Sequence, residues 1–158
     1  MKLNKLTNLL LSQLQDEQSV QSRLETLLKA QTQAAIAGDT DVIEATSQKV
    51  EVELSEEPMR DKRRKALMSA FGGELGVPPQ LLTIGSLIER LAVRGIPTAG
   101  LSRVRNELKD SLLAVRKQAR KLAVIARGHG EVLRDVMCLL GGTGEKSPST
   151  GILIDAEI

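Results

Sequence analysis

Apolar residues recur at steps of three and four along residues 101–140, forming one continuous row. No proline interrupts the row, and its two glycines, Gly128 and Gly130, flank its single polar member, His129. Its members are Leu101, Val104, Leu108, Leu112, Val115, Ala119, Leu122, Ala126, His129, Leu133, Val136 and Leu140. This spacing predicts one amphipathic helix of ~60 Å, at about 1.5 Å per residue. A helix of that length has to pack against other long helices or against a partner protein.

Two further helices are predicted in the first half of the chain. The first covers residues 2–37, and Gly38 ends it because glycine adopts the left-handed conformation at little cost. Its apolar face consists of Leu3, Leu6, Leu10, Leu14, Leu24, Leu27, Leu28, Ala34 and Ala35. Asp39 follows at once and offers an N-cap oxygen to a second helix over residues 40–72. The short connection predicts that the two helices run antiparallel.

Prolines and glycines mark the places where the helical pattern is interrupted. Pro58 falls inside the second predicted helix, and its missing N–H predicts a kink or a break there. Between Gly72 and Gly100 the glycines and prolines predict two turns. The apolar spacing between those turns predicts a short amphipathic helix with Thr83 as its cap. We expect this segment to be a crossover connection that leads to the third long helix.

Residues 141–158 are predicted to be a flexible Gly-rich linker followed by an aliphatic tail. The aliphatic residues of this tail are Ile152, Leu153, Ile154 and Ile158. They either dock back on the helices or bind another molecule. The sequence therefore predicts an all-α fold, an elongated bundle of three long helices with a short crossover helix and a flexible C-terminal tail. Residues 1–140 are expected to form the helical bundle domain.

Composition favours a helical binding protein over a nucleic-acid binder. Phe71 is the one aromatic residue of 158, so bases could not stack on aromatic side chains. The net charge is only +2, but it is unevenly distributed. Residues 101–140 hold nine basic and four acidic side chains, whereas residues 38–76 hold six basic and nine acidic ones. We interpret this asymmetry as solvated faces or as complementary charge between neighbouring helices of one bundle.

The sequence lacks the motifs that are typical of catalytic and metal sites, such as serine motifs, Walker loops and paired cysteines. His129 is the single histidine, so an ordinary zinc site is not expected, and we predict a buried polar group or a marker of the bundle register instead of a general base. Cys138 is the single cysteine, which suits a reducing compartment. No signal peptide and no membrane-spanning segment are predicted. The expected protein is therefore cytoplasmic and non-enzymatic, with no cofactor.

Several short motifs occur in order along nearly the whole chain. They are Glu17 ahead of Leu24, Leu27 and Leu28; the turn at Ala35 to Asp39; Lys49 followed by Leu54 and Arg64; the connector at Pro78 to Leu87; the long third helix; and Gly151 to Ala156 near the end. This order resembles the FlgN-like flagellar type III export chaperones. Two departures stand out. Ala126 and His129 replace a pair of asparagines three apart, and Gly141 to Gly144 replace a tyrosine often seen after the third helix.

The resemblance implies a chaperone for hook-filament junction proteins, FlgK-like and FlgL-like. Similar proteins bind the C-terminal helical segments of these clients with their own C-terminal part and carry them to the flagellar export apparatus. The corresponding partner-binding residues here would be Leu133, Val136, Met137, Leu140, Ile152, Leu153, Ile154 and Ile158. No nucleic acid and no membrane insertion are expected.

Other interpretations of the same residues remain open at this point. Leu133 and Val136 could instead complete the core of the bundle. The chain could also be a structural coiled-coil component of a secretion or cytoskeletal assembly, held in a permanent complex. A third possibility is a helical protein that binds nucleic acid through the basic face of the third helix, which steep salt dependence would reveal.

Overall fold

The computed structural model describes residues 2–139, and its secondary structure in this range is entirely helical. Five α-helices follow one another, α1 (Lys2–Ala37), α2 (Thr40–Ser55), α3 (Glu57–Leu75), α4 (Ile84–Val93) and α5 (Ala99–Leu139). A single 3-10 turn, Pro79–Leu81, precedes α4. The predicted all-α fold with long helices and a short crossover helix is confirmed. The predicted linker and tail, residues 141–158, lie outside the described residues.

The helices α1 and α2 form the predicted antiparallel hairpin. α1 has the predicted bounds, and Gly38 follows it with a left-handed φ of 73°. Asp39 then caps α2, because its side chain accepts a hydrogen bond from the backbone N–H of Val42 at 3.1 Å. Gln31 near the end of α1 bonds Ser47 of α2 at 2.5 Å, as an antiparallel pair requires.

Pro58 breaks the second predicted helix rather than bending it. α2 ends at Ser55 and α3 begins at Glu57, so that Pro58 lies in the first turn of α3, where its missing N–H costs nothing. α3 keeps the antiparallel direction relative to α1, since Lys2 at the start of α1 lies 3.5 Å from Glu74 near the end of α3.

The predicted end of this segment at Gly72 is wrong. Helix α3 continues to Leu75 and ends at Gly76, whose φ is 66°. The N–H of Val77 then returns to the carbonyl of Gly72 at 3.0 Å, the closing bond of a Schellman cap. Position 72 requires glycine, because a Cβ there would lie only 2.7 Å from the Val77 carbonyl oxygen.

Alanine substitutions at the two neighbouring glycines of α3 are expected to change the stability of the fold in opposite directions. Gly72→Ala is expected to destabilise the fold by about 1–3 kcal/mol, because the new Cβ collides with backbone. Gly73→Ala is expected to stabilise it by roughly 0.5–1 kcal/mol, since nothing lies within 4 Å of a Cβ there. Urea unfolding followed by circular dichroism measures both. Two stabilising alanines would contradict the close approach at Gly72.

The main hydrophobic core joins the first half of α1, the end of α3, α4 and the start of α5. Its buried members are Leu10, Leu14, Phe71, Leu82, Leu87, Leu91, Leu101, Val104 and Leu108. A capping box begins α4: the side chains of Thr83 and Ser86 each accept a hydrogen bond from the other's backbone N–H, which confirms the predicted Thr83 cap. The chain divides into two units, residues 1–125 and 126–158, and every member of this core belongs to the first. The predicted domain boundary at residue 140 stays a prediction.

Candidate partner-binding surface

A buried polar cluster ties α1 to α3. The side chain of Glu17 is 8% exposed and accepts two hydrogen bonds, from Arg64 Nη1 at 2.9 Å and from Gln13 Nε2 at 3.1 Å. Arg64 also donates to Asp61 at 3.1 Å. Burial by itself would lower the pKa of Arg64, but the charge of Glu17 and the hydrogen bonds to both carboxylates raise it. Because each carboxylate oxygen of Glu17 has a partner, this cluster fixes how α1 and α3 align.

A second cluster holds the junction between α2 and α3. Arg60 is buried, and its guanidinium donates to the backbone carbonyl of Glu53 at 2.6 Å and to the Glu57 carboxylate at 3.0 Å. Arg23 of α1 donates two hydrogen bonds to the Glu53 carboxylate, at 2.6 and 3.0 Å. The hydrogen bond from Arg23 lowers the pKa of Glu53, so this pair stays ionised at neutral pH. Arg60 thus satisfies a carbonyl that the break at Pro58 would otherwise leave without a partner.

The described residues hold no group of three or more histidine, cysteine, aspartate or glutamate side chains that could bind a metal ion. Every buried side-chain nitrogen and oxygen in the described part of the chain has a hydrogen-bond partner.

The last described turns of α5 present apolar side chains to solvent. Val132, Leu133 and Val136 are 62%, 66% and 44% exposed. At steps of one, three and four residues they share one face of the helix. Leu133 and Val136 therefore do not complete the core, which was the competing interpretation of these two predicted site residues. His129 is also exposed, so the prediction of a buried polar group is wrong.

The helix around this surface has weak intrinsic helicity. Gly128 and Gly130 both lie inside α5, and each costs roughly 1 kcal/mol relative to alanine in a helix interior. Neither glycine is required by packing, because nothing lies within 4 Å of a Cβ at either position. Alanine at either position would therefore fit the helix without a clash.

The remaining predicted site residues fall outside what the structure describes. The backbone of Met137 belongs to α5, but its side chain is not described, and Leu140 lies just beyond the described residues. The four tail residues Ile152, Leu153, Ile154 and Ile158 also lie beyond them. The structure thus places two of the eight predicted site residues, and both are exposed on one face.

The charge asymmetry of the sequence is not neutralised between neighbouring helices. Among the described residues, the one ion pair that involves α5 is Arg103 with Glu107, 3.8 Å apart within the same helix. The acidic side chains that pair across helices in the 2–139 range are Glu17, Glu53 and Glu74, and their partners are on α1 or α3. The interpretation of complementary charge between helices of one bundle is therefore not supported for α5.

These features define the class of protein: it is all-α in its described residues, and its last described helix turns expose an apolar face. No helix within residues 2–139 is long and apolar enough to cross a membrane. The family model described as FlgN protein matches residues 1–144, so the chain belongs to the FlgN family. The FlgN family is a family of flagellar export chaperones, and membership indicates this general role for the present chain. No curated protein and no solved structure matches the chain significantly.

Proposed function

We propose that this protein is a cytoplasmic chaperone for the flagellar hook-filament junction proteins, FlgK-like and FlgL-like. It binds their C-terminal helical segments, keeps them unassembled and delivers them to the type III export apparatus. The observation that supports this proposal best is the exposed apolar face at the end of α5 in a chain of the FlgN family. An isolated apolar helix face is suited to bind another amphipathic helix, because neither helix can bury that face alone.

The size of the exposed face agrees with reversible binding. Complete burial of a Val or Leu side chain contributes about 1.5–3 kcal/mol. Val132, Leu133 and Val136 together would supply part of the affinity, and the losses of translational and side-chain freedom offset much of it. A chaperone that releases its client at the export gate requires such a moderate affinity.

The aliphatic tail is proposed to take part in the same contact. Ile152, Leu153, Ile154 and Ile158 follow α5 at a distance of about twelve residues, which spans at most ~40 Å. That reach exceeds the length of the exposed stretch of α5, about 15 Å over residues 126–136. The tail could therefore close over a helix that lies on Leu133 and Val136 and add its own apolar area.

A single charge placed on the exposed face should weaken client binding. Leu133→Asp is expected to raise the Kd for a purified FlgK-like protein at least about tenfold, because a carboxylate would have to be desolvated in the contact. Isothermal titration calorimetry measures the Kd directly. A chain that ends at Leu140 should also bind more weakly, since it lacks the aliphatic tail.

The matched control is Leu9→Asp. Leu9 is 49% exposed, but it lies on α1, far in sequence from the proposed surface. Its replacement is expected to change the Kd by less than about twofold, with unchanged helicity by circular dichroism. Equal losses of affinity in both variants would refute a client surface on α5. Unchanged binding by the shortened chain would remove the tail from the proposal.

A further inference from the structure

One outer face of α5 is basic and partly apolar. Leu113, Lys117, Arg120 and Val124 follow one another at steps of four, three and four, and therefore line up on one side of the helix. All four are exposed, Leu113 by 53% and Val124 by 70%. We call these four residues the basic face of α5. Between residues 111 and 125 the helix holds four cations and no acidic side chain.

A face of opposite charge lies on α2. Asp41, Glu44 and Glu51 are exposed on the side of α2 that faces away from its buried Thr46, and Val52 beside them is 65% exposed. None of these three acids forms an ion pair among the described residues. We call Asp41, Glu44, Glu51 and Val52 the acidic face of α2. Both faces belong to the first unit of the chain.

We propose that the basic face of α5 binds the acidic face of α2 in a second copy of this chain. Each copy carries both faces, so two reciprocal contacts can close a two-fold dimer. Opposite charges and exposed apolar side chains would then meet in each contact, Leu113 and Val124 on one side and Val52 on the other. The uneven charge of the chain, which the ion pairs within one copy leave unmatched, would be matched between copies.

A second copy fits these observations better than a nucleic acid does. Exposed Leu113 and Val124 lie within the basic face, and a phosphate backbone offers no apolar surface for them to contact. The net charge of the chain is only +2, which gives little long-range attraction to a polyanion. A protein surface with both carboxylates and aliphatic side chains can pair with the two cations of the face and also contact its two apolar residues.

The contact should be weak and sensitive to salt. Individual exposed ion pairs contribute little, and added salt screens them over a Debye length that falls from about 10 Å at 0.1 M to about 3 Å at 1 M. The dimer is therefore expected at high protein concentration in low salt, and its Kd should rise by roughly tenfold or more in 1 M salt. The experiment uses the free chain, so its outcome does not depend on client binding.

Charge reversal on each face gives the decisive test. Sedimentation equilibrium in low salt compares the unchanged chain with Lys117→Glu/Arg120→Glu, which reverses the basic face, and with Glu44→Lys/Glu51→Lys, which reverses the acidic face. Each double variant alone is expected to be monomeric, because like charges would meet. An equimolar mixture of the two variants should form dimers again, because one contact would pair the two reversed faces and the other would pair the two unchanged faces, and both pairs carry opposite charges.

The control is Lys62→Glu/Arg63→Glu, which changes the net charge by the same amount at two exposed positions of α3. It should leave the dimer unchanged, and circular dichroism should show the same helicity in all variants. A monomeric unchanged chain in low salt would overturn the proposal. So would a dimer that survives both reversals, or a mixture of the two variants that stays monomeric.

Discussion

Phe71→Ala is expected to lower the free energy of unfolding by about 3–5 kcal/mol. Phe71 is completely buried near the end of α3, within the core that joins α1, α3, α4 and α5. Truncation removes the apolar burial of the ring and leaves a cavity that the surrounding leucines fill only in part. A domain of this size has a total stability of about 5–15 kcal/mol, so the loss would be a large fraction of it. Urea unfolding followed by circular dichroism measures the change.

Two control variants separate the cavity from other effects of substitution. Phe71→Leu keeps most of the buried volume and is expected to cost clearly less than the alanine variant. Val93→Ala at the end of α4 removes an 89% exposed side chain and should change stability by less than about 0.5 kcal/mol. If Phe71→Ala stayed within about 1 kcal/mol of the unchanged chain, the assignment of this core would be wrong.

Arg64→Ala is expected to destabilise the fold by about 2–3 kcal/mol. The variant would leave the Glu17 carboxylate, 8% exposed, with Gln13 as its one remaining partner. A buried charge that loses its counter-ion bears its desolvation penalty without compensation. The cost should remain below that of a fully buried pair, because the side chain of Arg64 is itself 34% exposed and water can replace part of it.

Lys65→Ala is the matched control for this prediction. Lys65 is the next residue on α3, and its 76% exposed side chain pairs with Asp61 on the same helix. Its loss should cost less than about 0.5 kcal/mol, as is usual for exposed pairs along one helix. In a double-mutant cycle, Glu17→Gln should remove most of the penalty of Arg64→Ala, because no buried charge is then left. Equal costs at positions 64 and 65 would contradict the buried pair.

The helices could be predicted where their ends depend on local chemistry. Gly38 ends α1, Asp39 caps α2 and Thr83 caps α4. These ends could be predicted because each residue acts within one turn of its own position. The end of α3 could not be predicted in the same way. Gly72 looks like a helix breaker, but it lies inside the helix, and the position requires glycine because the chain beyond Gly76 passes too close for any side chain there.

Contacts between residues far apart in the chain could not be predicted from the sequence, for a physical reason. Glu17 and Arg64 are 47 residues apart, and their pairing depends on how α1 and α3 align in space. The signal that could have found it is the position of Glu17 on the apolar side of α1, between Leu14 and Leu24. His129 shows the opposite failure. Periodicity identifies which side of a helix is apolar, but it does not tell whether another element covers that side, and the side chain of His129 is exposed.

The proposed chaperone role requires that this chain bind the C-terminal helical segment of a junction protein. The most direct test is isothermal titration calorimetry of the full chain against a purified FlgK-like protein, intact and without that segment. The intact client should bind reversibly at micromolar or lower Kd, and the shortened client should show no binding heat. Absence of binding, equal binding of both clients, or a complex that does not exchange would contradict the proposed chaperone role.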